Sequence, residues 1–201
     1  MSSRFDKIAK IYDIVNLISS FGLDHYSRWF LSKRVSGIIC DLGAGKGELS
    51  MYLSKRKKVK KIFAVEISKK MLKKRFLDKK IVYVRADANF IPFKDKSFDY
   101  VVSSFVWRNI EQRELFIKES RRILKKEGKI YILEMARPSV PFSFILIPYI
   151  YIFTTILSIF FPEYLFLRSS ILNLKAKELV KNYKVKKVIN VFGTVFYLFI
   201  F

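Results

Sequence analysis

Gly37-Ile38-Ile39-Cys40-Asp41-Leu42-Gly43-Ala44-Gly45-Lys46-Gly47 is a short apolar run that meets an acid and passes at once into a glycine turn, and residues 48–54 that follow have the composition of a helix. A buried strand, a tight turn and a helix in that order open an α/β unit. Outward from it the alternation repeats, with strands expected over 62–66, 81–84, 98–103 and 129–133 and helices over 68–77 and 112–124. On the N-terminal side a helix is expected over about 24–33, preceded by an amphipathic one in which Phe5, Ile8, Tyr12, Val15 and Ile18 recur at helical spacing. Strands alternating with helices give an α/β fold with a mostly parallel sheet covered on both faces, and ligands in such sheets bind outside the carboxyl ends of the strands. That rule gathers residues 41–47, Glu66, Asp87 and residues 103–109 around one crevice.

A chain of 201 residues suits one α/β domain. It is read here as an N-terminal helical cap over 1–36, a cofactor-binding core over 37–135, an apolar lid or membrane-facing insertion over 136–170, and a C-terminal helix and strands over 171–201. Lys and Arg number 39 against 17 acids, a formal charge of +22, so a long-range partner is an anion such as a nucleic acid or an acidic lipid surface. A mean hydropathy of +0.16 beside that charge favours the membrane surface over nucleic acid. Residues 139–162 carry no charge. Pro141, Pro148 and Pro162 interrupt that stretch, which favours a helical lid or flap over a spanning helix. The tail reads as a helix near 175–182 and two strands, 185–191 and 194–201, forming an antiparallel pair joined near Gly193. Cys40 is the only cysteine, which excludes an internal disulfide and a cysteine-based metal cluster and fits a cytoplasmic protein. The polar N-terminus does not resemble a secretory signal, and no metal site is readable.

A glycine turn alone serves nucleotides, flavins and S-adenosyl-L-methionine. Two details discriminate. Gly47 follows Gly45 after one residue rather than two, and Glu48 stands at the helix start, where a carboxylate would repel a pyrophosphate. S-adenosyl-L-methionine has no phosphate and carries an ammonium and a sulfonium, so Asp41 and Glu48 are tolerated there, while Gly43, Ala44, Gly45, Lys46 and Gly47 bring main chain to the ligand. Glu66 ends the second strand, where a carboxylate can accept from both ribose hydroxyls, and Asp87 with Ala88 ends the third, facing the adenine amino group. Each acid alone is as well explained as a capping residue. Acids at three successive strand ends together favour cofactor binding.

These residues resemble the C-methyltransferases of menaquinone and ubiquinone biosynthesis. The resemblance covers nearly the whole chain: Phe5-Asp6-Lys7-Ile8-Ala9 with Tyr12-Asp13 and Asn16, Ser20-Phe21-Gly22-Leu23, the turn at 41–47, Ile67-Ser68 with Met71-Leu72, Ala86-Asp87-Ala88, Ile91-Pro92-Phe93 and Ser97-Phe98-Asp99. It continues through Ser104-Phe105 to Arg108-Asn109, Arg122-Ile123-Leu124-Lys125 and Leu133-Glu134. It implies a Rossmann-like class I methyltransferase with a seven-stranded sheet and an antiparallel C-terminal strand. It also implies that Lys46, Glu66, Ile67, Asp87, Ala88 and Ser104 contact S-adenosyl-L-methionine, and that Arg108 and Asn109 face the acceptor. The chain departs from the family at Lys46, where relatives have Thr, and at Glu66, where most have Asp. It departs again at Lys126-Glu127-Gly128 in place of a Pro-Gly-Gly turn, at Leu198 in place of a histidine, and in its short apolar lid.

The resemblance implies methyl transfer to a ring carbon of a quinol or phenol, a lipophilic acceptor met at the inner face of a membrane. Arg108 cannot act as a base, because guanidinium stays protonated; it stabilises the phenolate or positions a water, and Asn109 orients the ring oxygen. The plain alternative for Arg108 is an ion pair with Glu111 or Asp13. Tyr12 and Asp13 close over the site and help remove the proton, or simply pack on the sheet. His25 lacks a motif and reads as a surface or packing residue, and Cys40 as a small buried hydrophobe. Two other functions compete. An RNA methyltransferase fits the charge, but Ser103-Ser104-Phe105-Val106 replaces the Asp/Asn-Pro-Pro-aromatic motif; a non-catalytic adenosylmethionine-binding component of a quinone-synthesis assembly predicts binding without turnover. Oligomeric state is not readable from the sequence.

Overall fold

In the computed structural model, which describes residues 23–138, 143–160, 162–191 and 196–201, the quoted run becomes β1 (Gly37–Leu42), buried from Ile39 to Leu42. β1 pairs in parallel with β2 (Val59–Val65) on one side and β4 (Phe98–Ser104) on the other, with Asp41 level with Ala64 and Val102. β3 (Ile81–Val84) extends the sheet beyond β2, also in parallel. Strands covered on both faces can be apolar throughout, which is why β1 shows no alternation. With β5 (Leu124–Met135), β6 (Lys187–Val191) and β7 (Phe196–Ile200), the sheet has seven strands in the order β3-β2-β1-β4-β5-β7-β6. β6 and β7 pair antiparallel, Val188 opposite Phe199, as the sequence led us to expect. The chain runs outward from β1 to β3 and returns to β4 on β1's other side, so the crevice opens at the carboxyl ends of β1 and β4.

Among the described residues the helices are α1 (Leu23–Ser32), α2 (Glu48–Ser54), α3 (Lys69–Lys73), α4 (Arg113–Ile123), α5 (Ser143–Phe160), α6 (Glu163–Asn173) and α7 (Ala176–Tyr183), with a 3-10 turn at Trp107–Asn109. Contacts group the chain into two compact units, residues 1–132 and 133–201. The first is built around Leu31, Ile39, Leu49, Ile62, Phe98 and Phe116, all essentially inaccessible; in the second, Leu198 and Phe199 are equally buried. The amphipathic segment with Tyr12 and Asp13 and the turn near Gly193 lie outside the described residues.

Two expectations are corrected. The helix placed over 68–77 stops at Lys73, because Phe76 N–H donates to Lys46 O at 2.9 Å and commits the following backbone to the glycine turn. The crowding of Lys69, Lys70, Lys73, Lys74 and Arg75 without an acid among them opposes further turns. The strand placed over 129–133 begins at Leu124 and takes in the Lys126-Glu127-Gly128 segment. The apolar stretch forms α5, with Pro148 inside it, and α5 packs on α6. Among the described residues no helix is long and apolar enough to cross a membrane.

One side chain anchors the loop that feeds β4. Arg122, on α4, donates to both carboxylate oxygens of Glu119 at 2.9 and 2.8 Å, to Asp95 Oδ1 at 2.7 Å, and to the carbonyls of Phe93 and Ile91 at 2.8 and 3.0 Å. Hydrogen bonding from Arg122 holds the Glu119 carboxyl below the usual carboxylate range. Arg122→Ala leaves two carboxylates and two carbonyls short of a donor. We expect it to cost about 1–3 kcal/mol, read as a fall in Tm of several degrees, whereas Lys126→Ala at an exposed position leaves Tm unchanged.

Candidate active site

Asp41, the penultimate residue of β1, has no solvent exposure. Its Oδ2 accepts from Ser50 Oγ at 2.7 Å, while Oδ1 is buried and has no hydrogen-bond partner among the described residues. Burial pushes the carboxyl up to about 7, with the Ser50 hydrogen bond opposing and Glu48 and Glu66 reinforcing. A buried carboxylate oxygen without a donor is costly, and a cationic group is the ligand that best relieves it.

The glycine turn follows. Gly43 and Ala44 both donate to Val65 O at 2.9 Å, which folds the turn back over the end of β2. Gly47 has φ 93° and a Cβ there would land on the Tyr83 hydroxyl, which itself donates to Lys46 O at 3.0 Å. Gly45 differs: a Cβ there would meet only Glu48 Oε2 at 3.6 Å, so its main chain faces open space. Lys46 is buried, with Nζ 3.7 Å from Glu48 Oε1, so a cation partly neutralises the acid at the helix start.

Glu66, just past β2, does more than wait for a ligand. Its Oε2 accepts from Gly45 N–H at 2.9 Å and its Oε1 from Ser68 N–H at 2.8 Å, and each oxygen keeps a further lone pair. Ile67 beside it is 45% exposed. Asp87 Oδ1 accepts from Asn89 N–H at 2.8 Å, the capping role considered for it, and Oδ2 has no partner among the described residues. Ala88 next to it is half-buried, and Phe90 stands out at 69% exposure. Ser104 ends β4, half-buried, and Ser103 Oγ donates to Leu42 O at 2.9 Å, which ties the ends of β4 and β1 together. The crevice therefore collects Asp41, the turn, Glu66, Asp87 and Ser104 on four neighbouring strand ends.

Arg108 and Asn109 lie in the 3-10 turn that follows, both half-buried. Trp107, fully buried edge-on against Phe116 at 6.0 Å, pins that turn. No ion pair joins Arg108 to the exposed Glu111, one of the two pairings weighed above; Asp13, the other, lies outside the described residues. His25 Nδ1 and Tyr52 Oη are 3.0 Å apart on an exposed surface. Cys40 is buried, and burial raises its thiol well above the ordinary range, as befits an inert core residue.

Sequence reasoning missed Asp24 and Arg28. They form an ion pair of 2.7 Å on the inward face of α1, both almost fully buried. The Arg28 guanidinium lies 4.8 Å from the ring centroid of Phe105, a residue with φ 62° immediately after β4. Arg28 opposes the upward push on Asp41, and its Nε–H is buried with no partner among the described residues. A left-handed aromatic residue at a strand end marks backbone strain of the kind that gathers at functional sites. The available signal was the i, i+4 acid–base pair one helical turn before the buried Leu31 and Ser32.

The sequence matches the methyltransferase domain family over residues 40–132. It is 33% identical over 186 residues to the demethylmenaquinone methyltransferase of Thermotoga maritima, covering 84% of this chain and 79% of that protein. It is 30% identical over 151 residues to the ubiquinone/menaquinone biosynthesis C-methyltransferase of Blochmanniella pennsylvanica, covering 69% of this chain and 59% of that one. Among solved structures, a Methanococcus maripaludis protein assigned to the S-adenosyl-L-methionine-dependent methyltransferases shares the fold with a TM-score of 0.65 at 19% identity, over 94% of this chain and 90% of that chain.

The raised Asp41 carboxyl carries a sign. Its folded value of about 7 exceeds the ordinary 3.8, so the folded state holds the proton more tightly and stability falls as pH rises between those values. In the ligand-free protein the effect amounts to at most about 4 kcal/mol, at about 1.4 kcal/mol per pH unit. Urea unfolding of wild type and Asp41→Asn at pH 5 and pH 8 isolates it. Relative to the variant, wild type should lose a few kcal/mol on going to pH 8; parallel behaviour would show that Asp41 is already ionised at pH 5.

Proposed function

This chain belongs to the C-methyltransferase family of menaquinone and ubiquinone biosynthesis and is an S-adenosyl-L-methionine-dependent methyltransferase, and from that premise we propose that it methylates a ring carbon of a prenylated quinol or phenol. The observation that supports this reading of the cofactor site is open main chain at Gly45 together with an Asp41 oxygen that has no hydrogen-bond partner among the described residues. These residues fit a ligand with a cationic amino-acid end and no phosphate. When bound, S-adenosyl-L-methionine supplies an electrophilic methyl group on a sulfonium.

In this reading each residue has one task. Asp41, drawn into its ionised form, holds the ammonium, with Arg28 close enough to favour the attached carboxylate. Gly43, Ala44, Gly45, Lys46 and Gly47 offer main chain, the spare lone pairs of Glu66 accept from the ribose hydroxyls, and Asp87 Oδ2 accepts from the adenine amino group. Ile67, Ala88 and Ser104 line the slot, and Phe90 adds an apolar wall. Arg108 stabilises the ionised ring hydroxyl, Asn109 orients it, and the ring proton passes to the Tyr12–Asp13 pair. Because methyl transfer from a cation to an anion would disperse charge, residues that exclude water and fix the line of attack would lower the barrier. An acceptor with an isoprenoid tail resides in lipid, which places the enzyme as a peripheral protein at a membrane surface.

Two experiments test the assignment. By titration calorimetry, Glu66→Ala should weaken S-adenosylhomocysteine binding at least about tenfold, since it removes both the hydroxyl acceptor and the brace on Gly45, while Arg108→Ala leaves the Kd within about threefold yet abolishes turnover; equal losses of binding would overturn the division of roles. Incubating the protein with methyl-labelled cofactor and total cell lipids should label a prenylated ring compound. Label recovered only in RNA would replace this reading with the nucleic-acid one.

A further inference from the structure

We propose that the uncharged outer face of α5 is a docking surface for the interfacial region of an anionic lipid bilayer, with the helix lying in the membrane plane. The proposal deepens the reading of a lipophilic acceptor and rests on it only for its purpose. All 18 residues of α5 are uncharged. Ile150 and Thr154 face inward at 9% and 4% exposure, and the Thr154 hydroxyl is satisfied by Ile150 O at 2.6 Å. At 100° per residue the opposite side is an arc of roughly 140°. That arc holds Phe144, Ile145, Ile152, Ile156 and Ile159, exposed by 77, 74, 62, 55 and 74%. A contiguous apolar face of this kind on a charged protein marks an interaction surface.

Three observations select the occupant. First, charge: the chain carries +22, and Lys175, Lys177, Lys181 and Lys184 stand exposed in the same unit, which attracts anionic headgroups and opposes a second copy of the chain. Second, length: 18 residues rise roughly 27 Å, short of a hydrocarbon core once Pro148 disrupts the backbone ladder, and no described helix qualifies to cross. Third, the margin of the face: Tyr151, at 48% exposure, carries the Arg168 guanidinium 4.8 Å from its ring centroid, and Arg168 also donates to Thr155 Oγ1 at 3.0 Å. An aromatic ring with a polar tip and an attached cation at the edge of an apolar stripe is what the headgroup boundary accommodates.

The test is co-sedimentation of the full chain with phosphatidylcholine vesicles with and without phosphatidylglycerol. Wild type should bind the anionic vesicles at least about tenfold better than the neutral ones, and Ile152→Ser/Ile156→Ser should lose that binding by a similar factor with Tm and S-adenosylhomocysteine affinity unchanged. Phe144→Ser/Ile159→Ser, at the two most exposed ends, repeats the test should the first pair disturb packing. Ile156→Trp should be quenched more strongly by lipids brominated near the headgroup than by those brominated near the chain terminus; the reverse order would indicate a spanning or deeply inserted helix and overturn the proposal. Equal vesicle binding by wild type and both variants would also overturn it, as would a wild-type dimer that the variants dissolve without any vesicle binding. Vesicle binding without a labelled ring product refutes the acceptor and leaves this surface standing, whereas a labelled product without vesicle binding does the opposite.

Discussion

The Glu66 carboxylate is the fixed point around which the crevice is built. One oxygen takes the Gly45 amide and the other takes the Ser68 amide, so the end of β2 clamps the glycine turn after β1 and, through Ser68, the start of α3. Ser68 in turn caps α3 by accepting from Met71 N–H at 3.3 Å. A charged acceptor shared by two amides is worth more than two neutral bonds, and it organises main chain that no hydrophobic contact could hold open. The same acid keeps further lone pairs, so in the proposed reading one group serves both positioning and binding. An Asp at 66 has one methylene fewer with which to span the two amides, which gives the family departure to Glu a structural role beyond side-chain length.

Much of this was legible in the sequence because the buried strands advertise themselves. β1, β3 and β4 are short, largely apolar runs ending at Leu42, Val84 and Ser104, and the rule that ligands gather at carboxyl strand ends groups Asp41, Glu66, Asp87 and Ser104, which the fold does set on neighbouring strand ends. Boundaries failed where a tertiary contact overrode a local pattern. Residues 74–77 have helical composition, yet Phe76 N–H is claimed by Lys46 O across the turn. Residues 124–128 have the charge of a loop, yet they run as strand, because an exposed strand end tolerates Lys125, Lys126 and Glu127 pointing outward.

The site was less legible on α1. Its pattern of Leu23, Tyr26, Trp29 and Phe30 suggests that the apolar side chains face the core, but the buried positions include Asp24, Ser27, Arg28 and Ser32. Periodicity assigns polar residues to solvent and has no means of recognising a helix whose polar stripe turns inward. The aromatic residues are instead half-buried and covered by cations, Lys33 over Trp29 at 3.6 Å and Arg34 over Phe30 at 3.3 Å. A buried guanidinium paired with Asp24 contributes little net stability after desolvation. It lies beside the strained Phe105 and lowers the Asp41 carboxyl, the position from which the proposed reading has it meet the carboxylate of a zwitterionic ligand.

The composition posed a contradiction, +22 charges on a chain of positive mean hydropathy, and the fold resolves it by segregation rather than blending. The basic residues crowd onto exposed positions such as residues 55–61 and 69–75, while α5 keeps a whole helix surface free of charge. Had the apolar excess been spread through the core, it would have enlarged that core; concentrated on one outer face, it adds nothing to folding, since the transfer free energy of those side chains is not collected on folding alone. It is collected only when the face meets another apolar phase. The docking proposed for α5 would therefore join two complementary terms, attraction of the exposed cations to anionic headgroups, which is long-ranged and salt-sensitive, and burial of the uncharged helix face, which is short-ranged and not.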